Sequence, residues 1–309
     1  MDNMILEAQV ETYFSRTDFQ NVRKALFIGA HCDDTELRAG PVVRRLLRNG
    51  AECTEWTMID GPWCTSVPGQ DGRRNSLEML ALRESENRKA AAILGIKNLH
   101  FFHLRASHLY GEEIDINHFV KIMPDFSSRE ELAKSIDNAV YTGQPMGIFA
   151  FGRPYFKDKF IKMVEDEAPD VIFTHSLNDL HIDHHAVCTM VLRTLQVSEK
   201  LRGTPVLMWR AGGNGGCDRY LPTHFIEVSN EDVELSDKAM QSYSSQFKPG
   251  VLQHGYVRGK CTTYGKLCGK EYAVAFTQQY HPTMNLHASP EDYILDEYRH
   301  NTKPEVISL

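Results

Sequence analysis

The residues best suited to chemistry fall in two short clusters far apart in the chain. The first is His31-Cys32-Asp33-Asp34, and the second lies in the stretch Thr174 to His185, THSLNDLHIDHH. Histidines and adjacent carboxylates are costly to bury and contribute little by packing. Two imidazoles and one carboxylate, here His31, His184 and Asp34, are a donor set for a tetrahedral zinc or another divalent metal ion with one position left open. Such an ion acidifies a bound water and polarises a carbonyl oxygen. A second carboxylate beside the ligands can take the water's proton, and Asp33 is placed for that. His181 and Asp183 precede His184 closely enough to orient one another, to stabilise an oxyanion or to protonate a leaving amine. His185 offers a second register. His184 is preferred because Ala186-Val187 reads as the start of a buried helix face. Cys32 is read as a small residue buried under the site, with roles as nucleophile or ligand as alternatives.

For the clusters to meet, each must sit at the end of a strand that opens a helix. Ala25–Ala30 is an apolar run that leads into His31, and Asp170–His175 leads into the second cluster. Between them, Glu52–Ile59 and Asn98–Leu104 read as strands and Asn75–Leu94 as a helix closed by Gly95. Leu37, Val42, Val43, Leu46 and Leu47 recur at helical spacing, and Pro41 predicts that this helix begins near it. The β-α-β-α-β order argues an α/β fold, a three-layer, Rossmann-like and mostly parallel sheet. In such a sheet all parallel strands end at one edge, where ligands bind. Helices are expected at Tyr155–Glu167, Asp183–Leu201 and Glu234–Ser245. Strands are expected at Pro205–Arg210, His224–Ser229 and Glu271–Gln278. Residues 251–268 read either way. Residues 106–155 read as an insertion that shapes the substrate pocket. No linker divides the 309 residues, so a single domain over 1–309 is expected.

Composition narrows the partners. Apolar residues make up 42% and charged residues 24%, as in an ordinary globular protein. A net charge of −7 argues against a nucleic-acid partner, which needs a basic face. No apolar run reaches the roughly 18 residues needed to span a membrane. Seven cysteines without a CxxC pair read as reduced thiols, and the acidic N-terminus does not read as a signal peptide, so the cytoplasm is expected. The first strand end also excludes a dinucleotide, because Asp33 and Asp34 occupy the turn where a pyrophosphate would need glycine amides. Ala211-Gly-Gly-Asn-Gly-Gly216 does not spell GxGxxG and reads as a loop, and no serine lies in a GxSxG elbow.

With these residues in place, a resemblance is visible. His31-Cys-Asp-Asp-Thr-Glu36, with Leu37 and Gly40, resembles the AHPDD-x-E-L-x-x-G motif of the PIG-L/LmbE-like deacetylases, and His181-Ile-Asp-His184 resembles their HPDH motif. Arg83-Glu84 to Leu94-Gly95, Lys238 to Gln246, and Tyr272 to Phe276 are similar to further family segments. The resemblance implies a Rossmann-like fold, a zinc or similar ion, and hydrolysis of an amide on an N-acetylglucosamine-type group. It implies His31, Asp34 and His184 as metal ligands and Asp33 as general base. It further implies His181 with Asp183 at the oxyanion or leaving group, and Arg83 as a substrate contact. The implied substrate is a small N-acyl sugar. The length of the stretch after Leu104 leaves open an N-acyl nucleoside, peptide or aminoglycoside-like metabolite. A non-catalytic sugar-binding protein is the reading from another class. Cys32 stands where the family has Pro, Arg38 and Pro41 where it has Gly, and Val274 where it has Glu.

Overall fold

A computed structural model describes residues 19, 21–60, 77–105, 150–152, 154–177, 179, 181–210, 222–246 and 254–277. The expected loop at 60–74 beyond Asp60, nearly all of the expected insertion at 106–155, the glycine-rich run at 211–216 and the tail after 281 lie outside the described residues. In chain order the elements are β1 (Lys24–Gly29), α1 (Asp34–Arg48), β2 (Glu52–Asp60), α2 (Leu77–Leu94) and β3 (Asn98–Arg105). Then come α3 (Pro154–Glu167), β4 (Val171–His175), α4 (Ile182–Val197), β5 (Val206–Trp209) and β6 (His224–Glu227). The last are α5 (Asn230–Met240), α6 (Tyr256–Leu267) and β7 (Ala273–Thr277).

The strands form one seven-stranded sheet in the order β3-β2-β1-β4-β5-β7-β6. β3 through β5 are parallel, and β7 runs antiparallel to both β5 and β6. The order reverses between β1 and β4, so the sheet has its topological switch point there, and the crevice at the carboxyl ends of those strands is where such folds bind ligands.

Side-chain alternation explains how the sheet carries helices on both faces. Ala25 and Phe27 of β1 enter one core with Val171 and Phe173 of β4, and the two phenyl rings stack at 4.6 Å. Leu26 and Ile28 enter the other core with Ile172, Phe160 and Val187. The first core packs under α1, α2, α5 and α6, and the second under α3 and α4. Both faces of β1 are therefore buried, which is why its sequence reads as a continuous apolar run. Among the described residues no helix is long and apolar enough to cross a membrane.

One boundary differs from the sequence expectation in a way that matters. α1 begins at Asp34, seven residues before Pro41, which lies inside the helix. Proline in a helix interior lacks an N–H and crowds the preceding turn, at a cost of about 3 kcal/mol. The unbroken burial of Asp34 to Val43 offsets it, because this helix is pinned between the sheet and α5. Residues 251–268, ambiguous in sequence, contain the helix α6, and α5 ends five residues earlier than expected, at Met240 rather than Ser245.

Candidate metal centre and active site

The switch-point crevice brings the two clusters together. β1 ends at Gly29, and a tight turn through His31 and Cys32 delivers Asp33 as the N-cap of α1 and Asp34 as its first residue. β4 ends at His175, and the chain turns through Asp179 to His181, the N-cap of α4. The two helix N-termini, with their partial positive charge, face one crevice and favour the carboxylates gathered there.

His31 Nδ1 lies 3.3 Å from His184 Nε2. Asp34 Oδ2 lies 3.8 Å from His31 Nδ1, and Asp34 Oδ1 lies 3.6 Å from His184 Nε2. Donors about 2.0–2.1 Å from a tetrahedral zinc stand roughly 3.3–3.5 Å from one another; the two imidazole nitrogens meet that spacing, while Asp34 approaches His31 and His184 through different oxygens. The opposite nitrogen of each imidazole is engaged by a carboxylate. Asp183 Oδ2 is 3.2 Å from His31 Nε2, and Asp179 Oδ2 is 2.8 Å from His184 Nδ1. This carboxylate–histidine arrangement fixes the tautomer, leaving His31 Nδ1 and His184 Nε2 with lone pairs toward each other. Asp34 Oδ2 is tied down by the His31 amide at 2.7 Å, so Oδ1 is the oxygen turned to His184.

The charges follow from these contacts. Burial alone would raise the Asp34 carboxyl, but His184, His175 and His31 hold it well below the usual carboxylate range. Burial would also lower His184, yet Asp34 and Asp179 raise it. Asp33 is pushed up by burial and by Asp34, against the pull of Arg83. Of the two adjacent aspartates it is the one raised rather than lowered, which suits a general base.

Asp33 is also held in an unusual posture. Its φ of 99° is left-handed, a conformation that costs a non-glycine residue about 1–3 kcal/mol. Arg83 of α2 braces it. The guanidinium places Nη2 3.2 Å and Nη1 3.3 Å from Asp33 Oδ2, and it also donates to the Cys32 carbonyl. Arg83 is only 4% exposed. Arg83, which the resemblance implies as a substrate contact, is packed behind the turn that carries Asp33. Cys32 is buried, and burial raises its thiol well above the ordinary range, so it is no ready thiolate.

His181 has its ring 4.2 Å from that of His184 and nearly parallel to it. Its Nδ1 accepts from the Asp183 amide at 3.2 Å, which caps α4 and leaves the proton on Nε2. Burial and the neighbouring His184 and His31 lower its pKa to about 3, so the ring is a neutral donor. Among the described residues, His31, His181 and His184 are one group whose ligand atoms lie mutually close enough to hold an ion. His185 is turned away, with Nδ1 3.0 Å from the Leu177 carbonyl.

Two residues of the site escaped the sequence reading. Asp179 lies in the same stretch as His181, and the need of a ligating histidine for a carboxylate partner was the available signal. His175 is fully buried at the end of β4. The Trp209 indole donates to its Nδ1 at 3.1 Å, and its Nε2 lies 2.9 Å from the Ala30 amide and 3.2 Å from Asp34 Oδ2. Burial and His184 lower its pKa to about 4. With both nitrogens taken, it positions Asp34 rather than competing for an ion, although Asp34, His175 and His184 lie close enough together to be a candidate group.

A family model described as PIG-L, GlcNAc-PI de-N-acetylase, matches residues 26–195, a span holding both clusters. The diacetylchitobiose deacetylase of Thermococcus kodakarensis is 24% identical over 284 residues, covering 90% of this chain and 90% of its own. The structure of N,N'-diacetylchitobiose deacetylase from Pyrococcus horikoshii superposes with a TM-score of 0.61 at 19% identity, over 93% of this chain and 94% of that one. The 4-carboxy-2-hydroxymuconate hydratase of Pseudomonas putida KT2440 superposes with a TM-score of 0.55 at 16% identity, over 86% of this chain and 100% of that one. At such identities the likeness shows the fold, and a fold shared with a hydratase does not choose the reaction.

Proposed function

From the premise that the chain belongs to the PIG-L family of de-N-acetylases, we propose that it is a metal-dependent hydrolase that removes the acetyl group from an N-acetylated amino sugar or small glycoside, with residues 1–309 acting as one catalytic domain. The observation that carries the reading is the approach of His31 Nδ1 to His184 Nε2 with the Asp34 carboxylate within 4 Å of both, while the neighbouring Asp33 carboxylate is held by Arg83. The names of the relatives support the sugar, since the Thermococcus and Pyrococcus proteins are deacetylases of diacetylchitobiose.

His31, Asp34 and His184 hold the ion, zinc or another divalent cation. When bound, it polarises an amide carbonyl and lowers the pKa of water. The chain's own residues do the rest. Asp179 and Asp183 keep the two imidazoles aimed. Asp33 takes the proton of the attacking water and returns it to the leaving amine, so amine and acetate are the products. His181, neutral with its proton on Nε2, donates to the oxygen that gains charge as the carbonyl is attacked. Arg83 keeps Asp33 in place from behind.

The test is acetate release from N-acetylglucosamine and from N,N'-diacetylchitobiose, with metal content measured on the same samples. Asp33→Asn is expected to keep its metal and lose at least about a hundredfold in rate. His184→Ala is expected to lose both. Undiminished hydrolysis in both variants would overturn the proposal.

A further inference from the structure

Tyr243, Ser244 and Ser245 follow the end of α5, and each of them reaches the same face of α2. That face carries Arg83, Glu86 and Asn87, which stand at i, i+3 and i+4 and so lie side by side. The segment takes both carboxyl oxygens of Glu86. Oε1 accepts from the Ser244 hydroxyl at 2.8 Å and from the Ser245 amide at 2.9 Å, and Oε2 accepts from the Ser245 hydroxyl at 2.5 Å. Glu86 is buried, and hydrogen bonds to a buried charged group are the strong ones. They clamp the chain after α5 onto α2 directly beside the arginine that braces Asp33.

Tyr243 is the side chain that this clamp delivers. It is fully buried, so it touches no substrate, and its hydroxyl oxygen lies 2.9 Å from Asn87 Nδ2. Burial, with Glu36 and Glu55 close by, pushes the phenol pKa up, so the hydroxyl keeps its proton and donates to Glu36. The ring is thus pinned at its tip. Its face meets Arg83, whose guanidinium carbon lies 5.8 Å from the ring centroid. That is within reach of a cation–π contact, which gains strength where water is excluded. Arg83 spends Nη1 and Nη2 on Asp33 Oδ2 and the Cys32 carbonyl, while its Nε has no hydrogen-bond partner. Bonds at one end alone leave the tilt of the guanidinium plane open, and the aromatic face is the contact that sets it.

We propose that Tyr243, anchored through Ser245 and Glu86, is a positioning residue for the general base: its ring sets Arg83, and Arg83 sets the Asp33 carboxylate on its left-handed turn. The effect on rate rests on the deacetylase reading, whereas the bracing itself stands on these contacts alone.

Two measurements on the metal-loaded protein test this, with Tyr243→Phe, which keeps the ring and drops the hydroxyl, and Tyr243→Met, which removes the aromatic face. The first is the crystal structure of each variant. Arg83 is expected to stay on Asp33 in Tyr243→Phe and to leave it in Tyr243→Met. Arg83 and Asp33 unmoved in Tyr243→Met, or displaced equally in both variants, overturn the proposal whether or not any sugar is hydrolysed. The second is steady-state kinetics with N,N'-diacetylchitobiose. Tyr243→Met is expected to lower kcat at least about tenfold with KM and metal content unchanged, since a misplaced group costs rate more than affinity. Tyr243→Phe is expected to restore kcat to within about threefold of the wild type, because the ring rather than the hydroxyl makes the cation–π contact. Added to Arg83→Met, Tyr243→Met is expected to cost nothing further, because a residue that acts through another has no effect once that one is gone. Losses that multiply in the double variant, as for a residue that only supports the fold, overturn the proposal. If Tyr243→Met does not fold, Ser245→Ala takes its place in both measurements, with a smaller shift of Arg83 and a kcat about threefold lower expected. An unmoved Arg83 in that variant overturns the proposal. A wild type that releases no acetate from the sugar overturns the deacetylase reading of it, and the crystal structures then decide the bracing.

Discussion

Asp33 shows how a single residue can be set by its neighbours. It follows a buried cysteine, caps a helix in a left-handed conformation and leans on a buried arginine. Together these features hold a carboxylate beside the proposed metal ligands without letting it join them. Arg83→Met is therefore expected to keep the metal and to lower kcat by about 10- to 100-fold at nearly constant KM, because a misplaced group costs rate more than affinity. A rise in KM with kcat preserved would restore Arg83 as a substrate contact. Asp179 acts one bond further out. Asp179→Asn keeps the shape of the side chain and removes the charge behind His184. It is expected to weaken zinc binding about 10- to 100-fold, measured by competition with a chelator. An unchanged affinity would mean that the carboxylate does not tune the ligand.

At the level of elements, α1 does the most. It presents Asp34 to the crevice with its first turn, supplies Arg38 one turn later and packs on α5 through Gly40. A Cβ on Gly40 would meet Ser236 Oγ at 2.9 Å and Ser236 Cβ at 3.2 Å. Gly40→Ala is expected to destabilise the fold by about 1–3 kcal/mol, read from the denaturant midpoint, since a packed helix pair resists overfilling. Unaltered stability would mean that α5 yields freely. The glycine of the motif is thus a packing device, while the acids before it are chemical ones. Of these elements, the strands and α2 were legible from apolar runs and helical periodicity. The start of α1 was not, because a local rule about proline was overruled by burial that only the tertiary fold supplies.

Across the molecule, a buried polar network ties four segments together behind the site. Asn87 Nδ2 of α2, with two N–H groups, lies within hydrogen-bond distance of three acceptors: Glu36 of α1, Glu55 of β2 and the Tyr243 hydroxyl after α5. Glu36 and Glu55 each keep one carboxyl oxygen without a partner. Burial raises Glu55 from 4.5 to about 7, against the pull of Asn87. The folded state then holds a proton that the unfolded state has released, so the contribution of Glu55 to stability falls as pH rises between about 4.5 and 7 and is level above. A shift of that size corresponds to about 3 kcal/mol. Glu55→Gln removes the titration, and it is expected to be the more stable protein at pH 8 and nearly equal to the wild type at pH 4.5. A thermal-melt series across that range checks it, and a wild-type advantage at pH 8 would refute the account.

The sequence by itself determined the local chemistry. Apolar runs ending in His31 and His175, with acids at fixed offsets, made two strand-end clusters legible, since strand burial and helix capping are properties of neighbouring residues. The α/β order was legible for the same reason. What only the tertiary structure decided are the relations between residues remote in the chain. These are the 3.3 Å approach of His31 to His184, the bracing of Asp33 by Arg83, the role of Asp179 behind His184, and the enclosure of Arg38 beside Trp209. A side chain's charge and reach are written in its own residue. Its partner is not, because the sheet order that puts β1 beside β4 is set by the burial of both faces at once, a property of the whole chain.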